Sequence, residues 1–278
     1  MSRPARIPST RSDDQAPATS PPPTSPPATP VPSTDAPPDD AGPVGLAEQL
    51  TFLSDRLPPP PARILDAGCG RGELAVALSA LGYEVTAIDT DPEAVAAAEA
   101  RGAPVTRADI ADHDDEPFDV VLFSLSLHHV ESLSRAMARV RALLRPGGTL
   151  IADEFAWDRA DHQTAAWFYD TAALLGDCHM LRSRVHDDRI ADPLRRWTHR
   201  HRDEDPMHPG AVMIDAITAE LELGEVTRGP YLHRYLGGFL TGDAGAGLLG
   251  TLRDIERRRV RDGTLAAVGL RLLAHRPV

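Results

Sequence analysis

Three carboxylates and a glycine turn mark the part of this 278-residue chain best suited to chemistry. Asp66-Ala67-Gly68-Cys69-Gly70-Arg71-Gly72 places an acid and three glycines together, and Asp89-Thr90 follows about twenty residues later. Asp109-Ile110 is the third element. Glycines in such a turn let a ligand approach the backbone, because no Cβ intervenes, and they reach backbone angles that other residues adopt at a cost. An acid at the distance of Asp89 can accept hydrogen bonds from both hydroxyls of a ribose, which points to a nucleoside derivative. Asp109 can accept from an adenine amino group while Ile110 packs on the ring. Further on, Ser124-Leu125-Ser126-Leu127-His128-His129 offers two imidazoles that titrate near neutrality, so either can act as a base or orient a substrate.

These residues need a scaffold that gathers them, and the apolar pattern supplies one. Strand-length apolar runs alternate with helical patterns, the signature of a parallel sheet covered on both faces. Strands are predicted at Arg63 to Ala67, Glu84 to Ile88, Pro104 to Arg107, Phe118 to Ser124 and Thr149 to Phe155. Glu225 to Tyr235 and Leu265 to Ala274 complete the set. Helices are predicted at Glu73 to Leu81, Pro92 to Arg101, Ser132 to Leu144, Ala211 to Leu221 and around Arg253 to Arg261. Arg145-Pro146-Gly147-Gly148 should stop the helix from Ser132 to Leu144, and Asp91 before Pro92 should cap its own. In such a sheet the crevice beyond the carboxyl ends of the strands is the ligand site, and all three acidic elements open onto it.

At these segments the sequence resembles the class I S-adenosylmethionine-dependent methyltransferases of small-molecule type, whose D-x-G-x-G-x-G hallmark is matched by Asp66, Gly68, Gly70 and Gly72. The resemblance covers residues 60 to 155 well and the remainder in strand order; Leu144 to Leu150, Leu-Arg-Pro-Gly-Gly-Thr-Leu, is a further familiar feature. It implies an α/β Rossmann-like seven-stranded, mostly parallel sheet with helices on both faces and its last strand antiparallel. It also implies S-adenosylmethionine as cofactor and a small-molecule methyl acceptor. By the resemblance Gly68, Gly70 and Gly72 hold the methionine part, Asp89 the ribose, and Asp109 with Ile110 the adenine; Asp66, Ala67, Cys69, Thr90 and Ser124 complete the expected cofactor contacts. His128 and His129 are the candidate catalytic groups, and Glu154 is a candidate for hydrogen bonding to substrate.

Residues 1–43 hold about half of the chain's 26 prolines and hardly any large apolar side chains. They are read as a disordered tail, because they cannot bury enough apolar surface to offset the entropy of ordering. Residues 44–278 would form the methyltransferase domain. Within it residues 157–210, with Trp157, Trp167, Phe168, Tyr169 and Trp197, are expected to be a helical insertion covering the acceptor, although such aromatics serve equally as the core of a cap. His179, His186, His199, His201 and His208 match no familiar metal-ligand spacing, so no metal is expected.

A net charge of −12 argues against broad capture of nucleic acid, and no Asn-Pro-Pro-Tyr type motif follows the fourth strand. Arg182 to Arg202, mixed with Asp187, Asp188 and Asp192, reads as a solvated face, with an anion clamp as the sharper reading. Neither a secretory signal nor a membrane span is recognisable, and two cysteines, Cys69 and Cys178, do not make a disulfide framework, so a cytoplasmic location is expected. The oligomeric state is left open. Two rivals remain: an NAD(P)-dependent reductase, against which Glu73 stands in place of the last fingerprint glycine, and a degenerate cofactor-binding module without turnover.

Overall fold

The computed structural model describes residues 42–182 and 190–278. Nearly all of the expected tail therefore lies outside the described residues, as do Arg184, His186, Asp187, Asp188 and Arg189. The described fold starts with a helix absent from the expectation, α1 (Gly42–Ser54). Then follow β1 (Arg63–Ala67), α2 (Glu73–Ala80), β2 (Glu84–Asp89), α3 (Pro92–Arg101), β3 (Val105–Arg107) and β4 (Phe118–Ser124). Next come α4 (Leu133–Leu143), β5 (Leu144–Phe155), α5 (His162–Asp177), α6 (Pro193–His199), α7 (Gly210–Glu220), β6 (Glu222–Gly229), α8 (Leu232–Gly237), α9 (Gly242–Arg261) and β7 (Gly269–His275).

The strands form one seven-stranded sheet in the order β3-β2-β1-β4-β5-β7-β6. The first five pair in parallel, and β7 runs antiparallel between β5 and β6. Strand order reverses between β1 and β4, and there the crevice opens. Alternate side chains explain why the central strands are apolar throughout. Val120 and Leu122 pack with Phe52 and Leu53 of α1 and Leu74 and Leu78 of α2. Val121 and Phe123 pack on the opposite face with Met137 and Val140 of α4 and Met213 and Ile217 of α7. Each such large side chain, fully buried, stabilises the fold by about 1.5–3 kcal/mol relative to exposure.

A second apolar cluster stands beyond the carboxyl end of β5 and the amino end of β7. It joins Phe155 and Trp157 to Phe168 and Tyr169 of α5, Trp197 of α6, and Tyr231, Tyr235 and Phe239 around α8. Phe155 stacks on Tyr231 at 4.5 Å between ring centroids, while Trp197 meets Phe168 edge-on at 5.1 Å. Indole N–H groups tie the cluster to the backbone: Trp157 donates to the Met207 carbonyl at 3.0 Å and Trp197 to the Trp157 carbonyl at 2.9 Å.

Four expectations need correction. The run Glu225 to Tyr235 is not one strand, since β6 ends at Gly229 and Leu232–Gly237 is helix α8. Pro230 lacks the N–H that would continue the ladder, and buried Glu256 accepts the N–H groups of Tyr231, Leu232 and His233 at 2.7–2.9 Å, which starts the helix. The glycine-rich stretch after it is the first part of α9. Strand β7 begins at Gly269 rather than Leu265, because Ala266 donates to the Thr164 hydroxyl instead of joining the ladder. Finally, Leu144 to Gly148 does turn the chain, with Gly147 at φ 76°, but it remains part of β5 through pairing of Leu144 with Phe118.

Candidate active site

A cleft of about 550 Å³ lies over the carboxyl ends of β1, β2, β4 and β5, within the size range of small-molecule sites. Its first half is built by the glycine turn. Gly68 and Gly70 have φ of 74° and 54°, a region that L side chains rarely adopt. At Gly68 a Cβ would sit 2.4 Å from the Ser126 Cβ, so the turn closes against the end of β4 only without a side chain. Ser126 completes that closure by donating its hydroxyl to the Ala67 carbonyl at 2.6 Å.

Asp89 holds the turn in shape. One carboxylate oxygen accepts the Gly70 N–H at 2.8 Å and the other accepts the Asp91 N–H at 2.9 Å. Each oxygen keeps lone-pair capacity for a ribose hydroxyl. Asp91 caps α3 as expected, accepting the Glu93 N–H at 2.9 Å. Asp109 lines the cleft beside Ile110, with one oxygen taken by the Ala111 N–H at 2.8 Å.

Asp66 is buried at the cleft floor with no hydrogen-bond partner on either oxygen. Burial, and then the charge of Asp89, push its pKa up to about 7. Beside it, burial and the same two carboxylates push the Cys69 thiol above its ordinary value, which makes it a poor nucleophile.

Asp66, Ala67, Gly68, Cys69, Gly70, Asp89, Thr90, Asp109, Ile110 and Ser124 all line this cleft. Gly72 does not. A Cβ there would meet Ala103 and Ala98 at 2.8 and 2.9 Å, so Gly72 is the residue that lets α3 pack close to the start of α2.

The other half of the cleft belongs to His128, His129, Phe155, Asp205, Met207 and the α8 face. His128 is buried, and its Nδ1 lies 2.5 Å from Glu154 Oε2. Glu154 Oε1 accepts the N–H groups of Ser126 and Leu127 at 3.1 and 2.8 Å. Glu154 is thus fully buried and committed to fixing the turn that carries His128, and the expectation that it contacts substrate directly is corrected. Leu125, just before that turn, has φ 60°, a strained value for a non-glycine residue. Burial, then neighbouring His128, lower the His129 pKa to about 4, so it is neutral at physiological pH.

Several cleft residues were not anticipated. Gln49 of α1 donates to the Ser124 hydroxyl, and with Leu46 it brings α1 over the cleft. The apolar spacing of Leu46, Leu50 and Leu53 was the available signal for that helix. Tyr231, Arg234 and Tyr235 lie on the segment read as strand, which hid their shared helical face.

Of the basic stretch, Arg196 lies over the Tyr169 ring at 4.8 Å and Arg200 donates to the Tyr235 hydroxyl at 2.9 Å. These two serve the cap and are not part of a solvated face. His201 is buried, its Nδ1 donating to the Trp197 carbonyl at 2.8 Å, and burial lowers its pKa to about 3. Among the described residues no cluster of His, Cys, Asp or Glu gathers to hold a metal ion, and no helix is long and apolar enough to cross a membrane.

A family model described as "Methyltransferase domain" matches residues 42–202, more than half of the chain. The chain belongs to this methyltransferase family. Among its relatives is a ubiquinone biosynthesis O-methyltransferase of Xanthomonas campestris pv. campestris (strain B100). It is 30% identical over 188 residues, covering 64% of this chain and 70% of the relative. An uncharacterized methyltransferase of Mycobacterium tuberculosis is 39% identical over 98 residues, 33% of this chain and 50% of that one. The fold is shared with an S-adenosylmethionine dependent methyltransferase from Mesorhizobium loti, at TM-score 0.53 and 20% identity, over 84% of this chain and 100% of that one. It is shared as well with geranyl diphosphate C-methyltransferase from Streptomyces coelicolor A3(2), at TM-score 0.52 and 15% identity, over 84% and 80% of the two chains. The methyltransferase is therefore an S-adenosylmethionine-dependent enzyme of the small-molecule type, as the sequence implied, and the reductase and inactive-module alternatives are not favoured.

The methyltransferase's own residues fit that cofactor. The cradle at Gly68 tolerates no Cβ, and the orphaned Asp66 carboxylate calls for a donor or cationic group on the ligand.

Proposed function

We propose that the chain methylates a hydroxyl oxygen of a small acceptor, with His128 as the base that takes the hydroxyl proton. The carrying observation is the buried His128–Glu154 pair at the cleft, 2.5 Å long, with the imidazole Nδ1 turned to the carboxylate. A carboxylate on one ring nitrogen fixes the tautomer, leaves Nε2 unprotonated to accept a proton, and stabilises the imidazolium that forms. Among the described residues Nε2 has no hydrogen-bond partner. The name of the O-methyltransferase relative supports an oxygen acceptor.

In this reading Gly68, Gly70, Asp66 and Asp89 hold the methionine and ribose parts of S-adenosylmethionine, and Asp109 with Ile110 the adenine. The cofactor, when bound, supplies a methyl group already activated on a sulfonium. The protein's share is to align the acceptor oxygen, exclude water and receive one proton. Residues 157–210 act as the acceptor's cover together with α8; Asp205 and Met207 line the cleft, and His208 ties this segment to the turn after His128 by donating to the Val130 carbonyl at 2.8 Å. The site lies in the cytoplasm and recognises no nucleic acid.

A screen of phenols and catechols with S-adenosylmethionine, read by mass spectrometry, tests the reading. O-methylated product that depends on His128 supports it. Methylation at nitrogen or carbon alone, or full kcat in His128→Gln, overturns it.

A further inference from the structure

Arg234 is the one side chain at the acceptor end of the cleft, among the described residues, that carries a full charge and buried donors with nothing to bind. Its side chain is 5% exposed, yet Nε and Nη2 are shielded from solvent and have no hydrogen-bond partner. Only Nη1 is used, in a 3.0 Å ion pair with Asp153. A guanidinium presents its donors as a planar fork matched to two oxygens. Buried donors left unpaired carry a desolvation penalty, so their retention in a cleft points to a ligand group that satisfies them.

The local charge agrees. Asp153 is shared between Arg234 and Arg271, whose Nε donates to it at 3.1 Å. Glu48, the other nearby carboxylate, is engaged with His233 at 3.3 Å and Arg253 at 3.5 Å. Asp153 is thus one carboxylate shared between two guanidiniums, which leaves Arg234 only partly matched by it, inside a chain whose total is −12.

Topology separates this charge from the cofactor contacts. Those sit at the ends of β1, β2, β3 and β4, whereas Asp153 lies on β5 and Arg234 of α8 pairs with it, on the far side of β4. The neighbours of Arg234 there are aromatic: its guanidinium stands 5.5 Å from the Tyr231 ring, which stacks on Phe155. We infer that Arg234 is a specificity residue that holds a carboxylate of the methyl acceptor, and that the acceptor is an aromatic acid whose ring lies against Tyr231. This inference rests on the methyl-transfer reading of the same cleft.

A carboxylate near Arg234 has two sources, the acceptor and the amino-acid end of the cofactor, and the test distinguishes them. Calorimetry on the full chain would first measure S-adenosylhomocysteine and 5′-methylthioadenosine, which lacks the carboxylate. It would then measure 3,4-dihydroxybenzoate and 3,4-dihydroxybenzamide on the S-adenosylhomocysteine complex. The expected result is an acid bound about tenfold tighter than its amide. In Arg234→Gln and Arg234→Lys that preference falls to about twofold or less while S-adenosylhomocysteine affinity stays within about threefold. Equal binding of acid and amide, or binding of neither, overturns the inference. So does a selective loss of S-adenosylhomocysteine affinity in the variants with 5′-methylthioadenosine unchanged, which would assign Arg234 to the cofactor. Should either variant fail to fold, the acid-to-amide ratio of the natural chain still decides. Failure of S-adenosylhomocysteine to bind the natural chain would strike the methyl-transfer reading itself, a separate outcome.

Discussion

The two ends of the cleft solve the problem of presenting polar groups in opposite ways. At the glycine end the ligand meets backbone: Gly68 and Gly70 in left-handed conformations, closed by Asp89 and Ser126, all near the ends of adjacent strands. At the cap end the ligand meets side chains carried by distant segments, Phe155, Asp205, Met207, Tyr231, Arg234 and Tyr235. The side-chain-built end uses one device twice. A buried glutamate gathers the N–H groups that open a short helical turn and pairs with a histidine of that turn: Glu154 with His128 at 2.5 Å, Glu256 with His233 at 2.7 Å. The difference is on the far side of each ring. His233 Nε2 is engaged by Glu48 at 3.3 Å, which ties α1 to α8 and α9, whereas His128 is left available to the cleft. A backbone-built end tolerates little change; a side-chain-built end can be retuned for a new acceptor.

The contrast is broken most directly at Gly68. Gly68→Ala must adopt φ 74° and overlap Ser126, so S-adenosylhomocysteine binding should weaken about hundredfold or more. Tyr235→Phe at the other end should leave it within about twofold. Calorimetry on both variants checks this, and comparable losses would show the two ends to be one unit.

Next in size is the His128 turn. Glu154→Gln removes the charge that orients His128, and kcat should fall about 10–100-fold. Cofactor affinity should change little, and a larger effect on it than on kcat would mean that Glu154 serves the glycine end.

The third effect is a pH dependence. With its pKa near 7, Asp66 is largely protonated below that value in the free protein. A cationic ligand favours the ionised form, so binding of S-adenosylmethionine should release a proton near and below neutrality. Affinity should then fall up to about tenfold as pH drops to about 6. Asp66→Asn should flatten that profile; an unchanged slope would locate the titrating group elsewhere.

The smallest effect separates the two His–Glu pairs. Burial opposes the charge of His233, but hydrogen bonds to Glu256 and Glu48 raise its pKa above the ordinary 6.5. Its contribution to stability is therefore full below 6.5 and lost as pH rises through the higher folded value. Glu48 is held at about 2 against an ordinary 4.5, by His233 and nearby arginines despite its burial. Its contribution is present above 4.5 and lost as pH falls toward 2. Thermal scans should show a maximum near weakly acidic pH, with Tm lower by a few degrees at about pH 9. His233→Gln should remove the alkaline limb.

Legibility in the sequence followed how each part is stabilised. The turn at Asp66 to Gly72 and the acid at Asp89 could be read because local backbone geometry restricts the residues that fit. Alternation between strand and helix likewise reported the sheet, down to the bounds of α3 and β4. Gly72 looked the same as its neighbours in sequence and differs in role only because α3 packs against it. The segment Tyr231 to Tyr235 has strand-forming composition, and a glutamate on α9 makes it a helix. Gln49, Glu154 and Arg234 gave no signal of their functions, since each acts through a partner far along the chain.

By itself, then, the sequence determined the sheet, its crevice and the cofactor cradle, because these rest on apolar periodicity and on backbone conformations that few residues can adopt. Tertiary structure alone decided which imidazole pairs with a buried glutamate at the cleft, which glycine only packs, and where a guanidinium keeps two buried donors without a partner. Those properties depend on burial and on partners brought together across the fold, where a low local dielectric makes each pairing, or its absence, count.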